Sequence, residues 1–134
     1  ERFGSSFDYA RVMSSSLSLQ AGFGGFSQEA RVEREHFDSI DRYVGAYWNL
    51  RDNMALFGRA SYMKNDYKGE EPVFATGRAE REQHYMLGFM YKFTGGLLDK
   101  WSVDARLEHT DNHANIEIYQ YRRTELSVDL IRNF

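Results

Sequence analysis

Apolar and polar residues alternate along most of the chain, which is the two-residue period of a β-strand whose two faces meet different surroundings. In the clearest run, large apolar residues take every second position: Tyr85, Leu87, Phe89, Tyr91 and Phe93. Comparable runs predict strands at about residues 2–10, 14–30, 37–50, 54–66, 80–94, 99–111 and 115–134. A shift of one residue exchanges the faces of a strand, so the alternation assigns each residue to a face.

The segments between these runs predict the connections. Turn-forming residues at 51–53 and 94–100 indicate tight turns, as does the break near Val12. Polar segments at 29–37, 65–79 and 110–115 indicate longer loops, and the second of them holds the only proline, Pro72. Alternation of short and long connections is typical of transmembrane β-barrels, whose periplasmic turns are short and whose external loops are long.

The number of strands leaves two interpretations open. Seven is odd, whereas single-chain bacterial barrels have an even number of strands, with a minimum of eight. Either the run 14–30 contains two strands, with a bend at Gly22, Gly24 and Gly25, or residues 1–134 are the C-terminal segment of a larger barrel. The chain begins at Glu1 without an initiator methionine and its first run is short, which favours the second interpretation.

Composition agrees with an all-β, antiparallel barrel and excludes several classes. Aromatic residues make up 16% of the chain and charged residues 28%, a mixture that suits a barrel with an apolar exterior and polar loops and interior. Every apolar run is too short for a transmembrane helix. The net charge of -3 gives no basic field for nucleic acid, and the absence of cysteine excludes disulfides, zinc–thiolate sites and thiol catalysis.

The last strand carries the most specific pattern. Leu126, Val128 and Leu130 share one face, and the chain ends at Phe134. This segment resembles the C-terminal targeting strand of bacterial outer-membrane proteins, whose terminal phenylalanine is read by the barrel assembly machinery. Arg132 departs from that pattern, because many members of the family have an aromatic residue there.

Residues 115–134 as a whole are similar to the closing strands of several Gram-negative barrels. These are exopolysaccharide-linked porins, surface-lipoprotein assembly modifiers and the sheath barrels of porin–cytochrome conduits. The resemblance implies a bacterial outer-membrane location, with outer-membrane lipid, lipopolysaccharide and the barrel assembly machinery as partners, and a protein partner or further barrel strands in addition. It implies no cofactor.

The polar faces carry charged residues that a barrel would direct into its lumen. They are Arg59, Asp104, Arg106, Glu108, Arg123, Glu125 and Asp129. We expect the arginines to pair with carboxylates on neighbouring strands. Glu82 and His84, beside Asp104 or Glu108, are the candidates for an acid/base pair in a lipid hydrolase, although no serine stands in a recognisable nucleophile motif. The four histidines are too scattered to predict a metal site.

Two further sets of residues fit the surface of a membrane barrel. Aromatic residues expected near strand ends would form interfacial girdles: Trp48, Tyr62, Tyr91, Phe93 and Trp101. Basic residues expected near the external tips would meet lipopolysaccharide phosphates: Arg31, Arg34, Lys64, Lys68, Arg78 and Arg81.

Together these patterns predict a non-enzymatic outer-membrane β-barrel that acts as a pore or export channel, or as a structural barrel around a partner. One alternative is an outer-membrane lipid hydrolase or acyltransferase that uses Glu82 and His84. The other is a soluble, lipocalin-like barrel whose apolar faces point inward to bind an apolar ligand.

Overall fold

The computed structural model describes residues 1–29, 31 and 35–132, and in these residues the protein is all-β. The strands are Arg2–Val12 (β1), Leu17–Gln28 (β2), Phe37–Arg51 (β3), Met54–Glu71 (β4), Thr76–Lys92 (β5), Trp101–Ala114 (β6) and Tyr121–Arg132 (β7). Two short 3-10 turns, Gly96–Leu98 and Glu117–Tyr119, precede β6 and β7. The prediction of an all-β chain with seven antiparallel strands is confirmed.

The strands form one antiparallel sheet in which each strand pairs with the next along the chain. The sheet is open, with β1 and β7 as its edges, so closure into a barrel is not seen. The interpretation that two strands lie within residues 14–30 is wrong. β2 is a single strand that pairs without interruption with β1 on one side and β3 on the other.

Two of the predicted loops are strand instead. β4 and β5 continue to pair past a register shift, through Glu70 with Gly77, so only residues 72–75 remain as a turn. β6 continues to Ala114, and the turn falls at residues 115–120. In this turn the side-chain amide of Asn115 makes the hydrogen bonds to β5 that the backbone of a neighbouring strand would otherwise make. Its Nδ2 donates to the Gly77 carbonyl at 2.7 Å, and its Oδ1 accepts from the Ala79 backbone amide at 2.8 Å. The connection at residues 93–100 is longer than the turn at 72–75, so the expected alternation of lengths does not hold.

The register aligns the faces that alternation assigned to each strand. One row of hydrogen-bonded partners runs through Leu19, Ala46, Gly58, Leu87, Leu107 and Leu126. The adjacent row, on the opposite face, runs through Gln20, Gly45, Arg59, Met86, Glu108 and Glu125. We call the two sides the apolar face and the polar face.

Burial is inverted relative to a soluble sheet protein. The buried residues of the described strands all lie on the polar face: Gly22, Gly24, Ser39, Ala55, Asn65, Gly88, Ser102, Thr110, Asn112 and Ala114. On the apolar face Leu87 is 58% exposed and Leu126 is 73% exposed. Soluble antiparallel sheets bury their apolar face and solvate the other. On the inner strands β2 to β6, this sheet partly covers the side chains of its polar face and leaves many of its large apolar side chains exposed.

Glycines on the polar face make room for aromatic rings from the neighbouring strand. Gly22 pairs with Tyr43, and Gly88 pairs with Phe57. A Cβ atom at Gly22 would lie 2.4 Å from the Tyr43 ring, and one at Gly88 would lie 2.0 Å from the Phe57 ring. Both distances are far inside van der Waals contact, so the rings can lie flat only over glycine. The glycine content of the chain thus partly serves to fill the polar face.

Candidate functional site

The polar face is the candidate functional site, and β6 and β7 supply six of the seven charged residues predicted for the lumen. Their register sets like charges directly opposite each other, Asp104 against Asp129 and Glu108 against Glu125. Carboxylates that face each other across a ladder destabilise a sheet unless a cation lies close by. Arg106 occupies the polar-face position between the two carboxylate rows and supplies such a cation.

The expected cross-strand pairing of the arginines is wrong. Arg106 Nε lies 3.0 Å from Asp104 Oδ1 on its own strand, and Arg123 Nη2 lies 3.5 Å from Glu125 Oε2 on its own strand. The physical reason is the register, since each of these carboxylates faces another carboxylate across the ladder. Arg59 stacks on an aromatic ring, with its guanidinium carbon 3.8 Å from the centre of the Tyr43 ring.

The structure separates the two proposed acid/base residues. His84 Nε2 lies 3.2 Å from Glu108 Oε2, whereas Glu82 Oε2 accepts a hydrogen bond of 2.6 Å from the Tyr121 hydroxyl. Ser61 lies directly across the ladder from His84, a relationship that the sequence analysis missed. Serine, histidine and glutamate therefore occupy neighbouring positions on one face. Only the pairing of β4 with β5 reveals this, because Ser61 lies in no recognisable sequence motif.

A polar cavity lies at one end of this face. We call this end the Tyr119 end, and the opposite end, where β6 begins, the Trp101 end. Residues 115–120 fold over the polar face, so that Ile116 is only 3% exposed and the Asn112 amide donates to the Tyr119 carbonyl at 2.8 Å. The cavity beneath has a volume of about 240 Å³. Its polar lining residues are Asn65, Glu80, Glu82, Asn112, Tyr119, Gln120 and Tyr121.

Arg78 holds the β4 and β5 ends and the folded turn together. Its guanidinium carbon lies 3.6 Å from the centre of the Tyr67 ring and 4.3 Å from that of Tyr119. Its Nε lies 3.4 Å from Glu80 Oε1, and its Nη1 lies 3.7 Å from Glu71 Oε1. Arg78 is therefore half-buried on the polar face, and the expectation that it points outward to lipopolysaccharide is wrong. Its even position on β5 turns it to the side of Glu80 and Glu82.

Burial and hydrogen bonding shift several protonation equilibria at the Tyr119 end. Burial raises the pKa of Glu80 and of Tyr67, because it disfavours their charged forms. The hydrogen bond to Glu82, with burial, raises the pKa of Tyr121 to about 12. At neutral pH Tyr121 is therefore a neutral hydroxyl that donates to an acidic neighbour.

The histidines do not assemble a metal site. His109 Nδ1 lies 2.7 Å from the Thr124 hydroxyl, and His113 Nδ1 lies 3.3 Å from Asp111 Oδ1. Asp111 also pairs with Arg122 at 2.9 Å. Within residues 1–29, 31 and 35–132, no group of three or more histidine, aspartate or glutamate side chains is arranged to hold a metal ion.

Four of the five proposed girdle aromatics lie near the Trp101 end of the sheet. The Tyr91 and Phe93 rings meet edge to face with centres 5.0 Å apart. Trp101 pairs with Arg132, whose guanidinium carbon lies 5.7 Å from the centre of the indole ring. Trp48 lies near the end of β3. Tyr62 differs, because it lies in the middle of β4, with the Arg42 guanidinium carbon 4.7 Å from its ring centre.

The proposed assembly strand is the free edge β7. Leu126, Val128 and Leu130 are all exposed on the apolar face. Phe134, the last element of the proposed assembly signal, lies outside the described residues, as does Arg34 of the proposed basic set.

Comparison with known proteins gives no match to a family model, a curated protein or a solved structure. No helix among the described residues is long and apolar enough to cross a membrane. The geometry of the two faces is therefore the basis on which a function is proposed.

Proposed function

We propose that this sheet is part of a transmembrane β-barrel in a Gram-negative outer membrane, with its apolar face toward lipid and its polar face toward the lumen. Lipid excludes water from the backbone, so strands that cross it must pair in a closed sheet. The exposure of the apolar face and the burial of residues on the polar face of β2 to β6 fit this environment.

The observation that carries the proposal is the slant of the apolar residues across the sheet. On β1, Arg11 marks the limit of the apolar residues on the apolar face. The row of directly opposite residues that begins at Arg11 crosses the sheet and ends at Leu126 on β7. On β7 the apolar residues continue through Val128 and Leu130, and Arg132 is the next residue of this face and the last described residue of the strand. The limit therefore moves by six residues, from 126 to 132, over the six steps between β1 and β7.

This slant has the magnitude that barrel geometry requires. Residues are about 3.4 Å apart along a strand and strands about 4.8 Å apart, so one residue per strand corresponds to a tilt of roughly 35°. Strands of outer-membrane barrels tilt by about 35–45° from the membrane normal. A flat lipid layer around tilted strands produces such an oblique belt. We call the exposed apolar residues of the apolar face that lie from this oblique line toward the Tyr119 end the apolar belt.

Within this barrel, we assign the polar face to a pore or export channel, or to the wall around an enclosed partner. Two of its arginines lie beside carboxylates, Arg106 beside Asp104 and Arg123 beside Glu125. Arg59 instead stacks on Tyr43, and no ion pair joins it to another described residue. A guanidinium without a carboxylate partner in a water-filled lumen favours anions.

Planar-bilayer recording tests this role. We expect the protein to give single-channel events, and Arg59→Gln to shift the ion preference toward cations. Arg42→Gln is the matched control, because Arg42 lies on the apolar face and its loss should leave the preference unchanged. An absence of channel events, together with tight capture of one envelope protein, would support the structural barrel over the pore.

A second candidate function, ester hydrolysis, is favoured by one specific observation. Ser61 faces His84, and His84 contacts Glu108, which places a nucleophile, a base and a carboxylate side by side. Hydrolysis of a lipid ester that disappears in both Ser61→Ala and His84→Ala would establish this function. The soluble, lipocalin-like alternative gains no support from the exposed apolar face. It predicts a monodisperse monomer in the absence of detergent.

A further inference from the structure

The apolar face contains a groove above Ala60. In the row of Ala21, Val44, Ala60 and Tyr85, the small side chain of Ala60 stands between larger neighbours. The resulting groove has a volume of about 330 Å³ and is walled mainly by Val44, Tyr62 and Tyr85. Its lining is mostly apolar, and it lies within the apolar belt.

Three basic side chains lie at the end of the groove that points toward the Tyr119 end of the sheet. Arg42 lines the groove itself and stacks on Tyr62. Lys64 and Arg81 follow in the next row of the same face and are directly opposite each other. Lys64 pairs with Asp66, whereas no ion pair joins Arg42 or Arg81 to any other described residue. Asp66 balances the charge of Lys64, so Arg42 and Arg81 are the cations at this end of the groove that an anion could pair with.

We propose that this groove binds a phosphorylated, multiply acylated glycolipid of the lipid A type. One acyl chain lies over Ala60, and a phosphate contacts Arg42, Lys64 and Arg81. Guanidinium groups bind phosphate through paired hydrogen bonds, which explains the use of arginine at two of the three positions. The inference rests on the proposed function, because it requires the apolar face to meet lipid.

The position of the cations selects the leaflet. β4 and β5 extend past the groove by several residues toward the Tyr119 end, and the turn at 115–120 lies at that end as well. We assign the Tyr119 end to the outside of the cell because β4 and β5 extend furthest there. The phosphate would therefore come from the external leaflet, where lipid A resides, and not from a glycerophospholipid of the inner leaflet.

Binding of defined lipids to the purified protein in detergent micelles tests the proposal. The probes are lipid A, dephosphorylated lipid A and phosphatidylglycerol, and native mass spectrometry measures their apparent affinities. We expect lipid A to bind the double variant Arg42→Gln/Arg81→Gln at least about tenfold more weakly than the wild type, since two charge-assisted contacts are lost. Ala60→Phe, which fills the groove and leaves the cations intact, should weaken binding similarly. Arg11→Gln, which removes a cation at the opposite limit of the belt, should not.

Insertion into liposomes, measured on the same samples, distinguishes a failure of the proposed membrane barrel from a failure of the proposed lipid site. Wild-type protein that does not insert would contradict the membrane barrel itself. Protein that inserts normally, but binds lipid A equally well in the wild type and in both groove variants, would overturn the lipid site alone. Equal binding of phosphatidylglycerol and lipid A would also overturn it, because the site would then not select the glycolipid.

Discussion

Arg11 on β1 and Leu126 on β7 lie in the same row of directly opposite residues across the sheet. Arg11 marks the limit of the apolar belt on β1, whereas the limit on β7 lies six residues beyond Leu126, at Arg132. The belt therefore crosses the strands obliquely. Since hydrogen-bonded rows run perpendicular to the strands, a belt that surrounds tilted strands must cut across these rows. The slant is defined by the positions of Arg11 and Arg132 and by the pairing register that relates their strands.

The slant predicts the orientation of the strands in a membrane. We expect polarised infrared spectroscopy of oriented bilayers that contain the protein to give a mean strand tilt of about 35–45° from the membrane normal. Strands that lie in the plane of the bilayer would indicate a sheet adsorbed at the surface, and would contradict the oblique belt.

Charge on the apolar face should be costly in lipid. We expect Leu87→Arg to lower the free energy of unfolding in bilayers by about 2–4 kcal/mol, because Leu87 lies near the middle of the belt. The matched control is Gln20→Lys, since Gln20 is an exposed residue on the polar face. Ser102 is a poor control although it lies on that face, because it is only 7% exposed and a larger side chain would not fit. Equal effects of Leu87→Arg and Gln20→Lys in a urea titration would argue against a lipid-facing Leu87.

Packing on the polar face predicts an asymmetry between two glycines. Gly88→Ala should lower the free energy of unfolding by about 1–3 kcal/mol, because the new methyl group displaces the Phe57 ring. Gly58→Ala should have a much smaller effect, since the nearest atom to its new Cβ lies 3.6 Å away. Adding Phe57→Leu to Gly88→Ala should restore part of the loss. Additive effects in that double variant would show that Phe57 does not lie over Gly88.

The hydrogen bond between Tyr121 and Glu82 predicts a change in titration. The folded state raises the pKa of Tyr121 to about 12, whereas the pKa of a tyrosine in the unfolded chain is about 10. Between these two pH values the folded protein keeps the proton of Tyr121 and the unfolded chain loses it. The stability supplied by this group is present below pH 10 and is lost as the pH rises from 10 to about 12. We expect Glu82→Gln to lower the pKa of Tyr121 toward 10, measured by phenolate absorbance with Tyr121→Phe as the reference. Glu108→Gln, which alters a carboxylate bound to His84, should leave this titration unchanged.

Alternation predicts the strands and their faces because a half-exposed strand must change character at every second residue. It does not predict where strands end once both faces become polar. The sequence therefore predicts a loop at Thr110, Asp111 and Asn112. In the structure these residues are part of β6 and pair with Arg123, Arg122 and Tyr121 on β7.

Side-chain partners on the polar face depend on register, which a single sequence does not specify. The pairing of Ser61 with His84 and the stacking of Arg59 on Tyr43 follow from which residues the ladder sets side by side. The turn at 115–120 is similarly hidden, because the Asn115 amide takes over backbone hydrogen bonds of β5. Composition and periodicity carry no information about such contacts.

Contact between the apolar face and lipid can be tested directly, because the chain contains no cysteine. Single cysteines that replace His84 to Met90 along β5, except at Gly88, would carry spin labels in protein reconstituted into bilayers. Their collision rates with oxygen, which dissolves in lipid, and with a water-soluble nickel complex would then be measured. We predict high oxygen and low nickel accessibility at Tyr85, Leu87 and Phe89, and the reverse at His84 and Met86. Labels at Leu87 and Phe89 that are shielded from both reagents, or are reached mainly by nickel, would contradict the account.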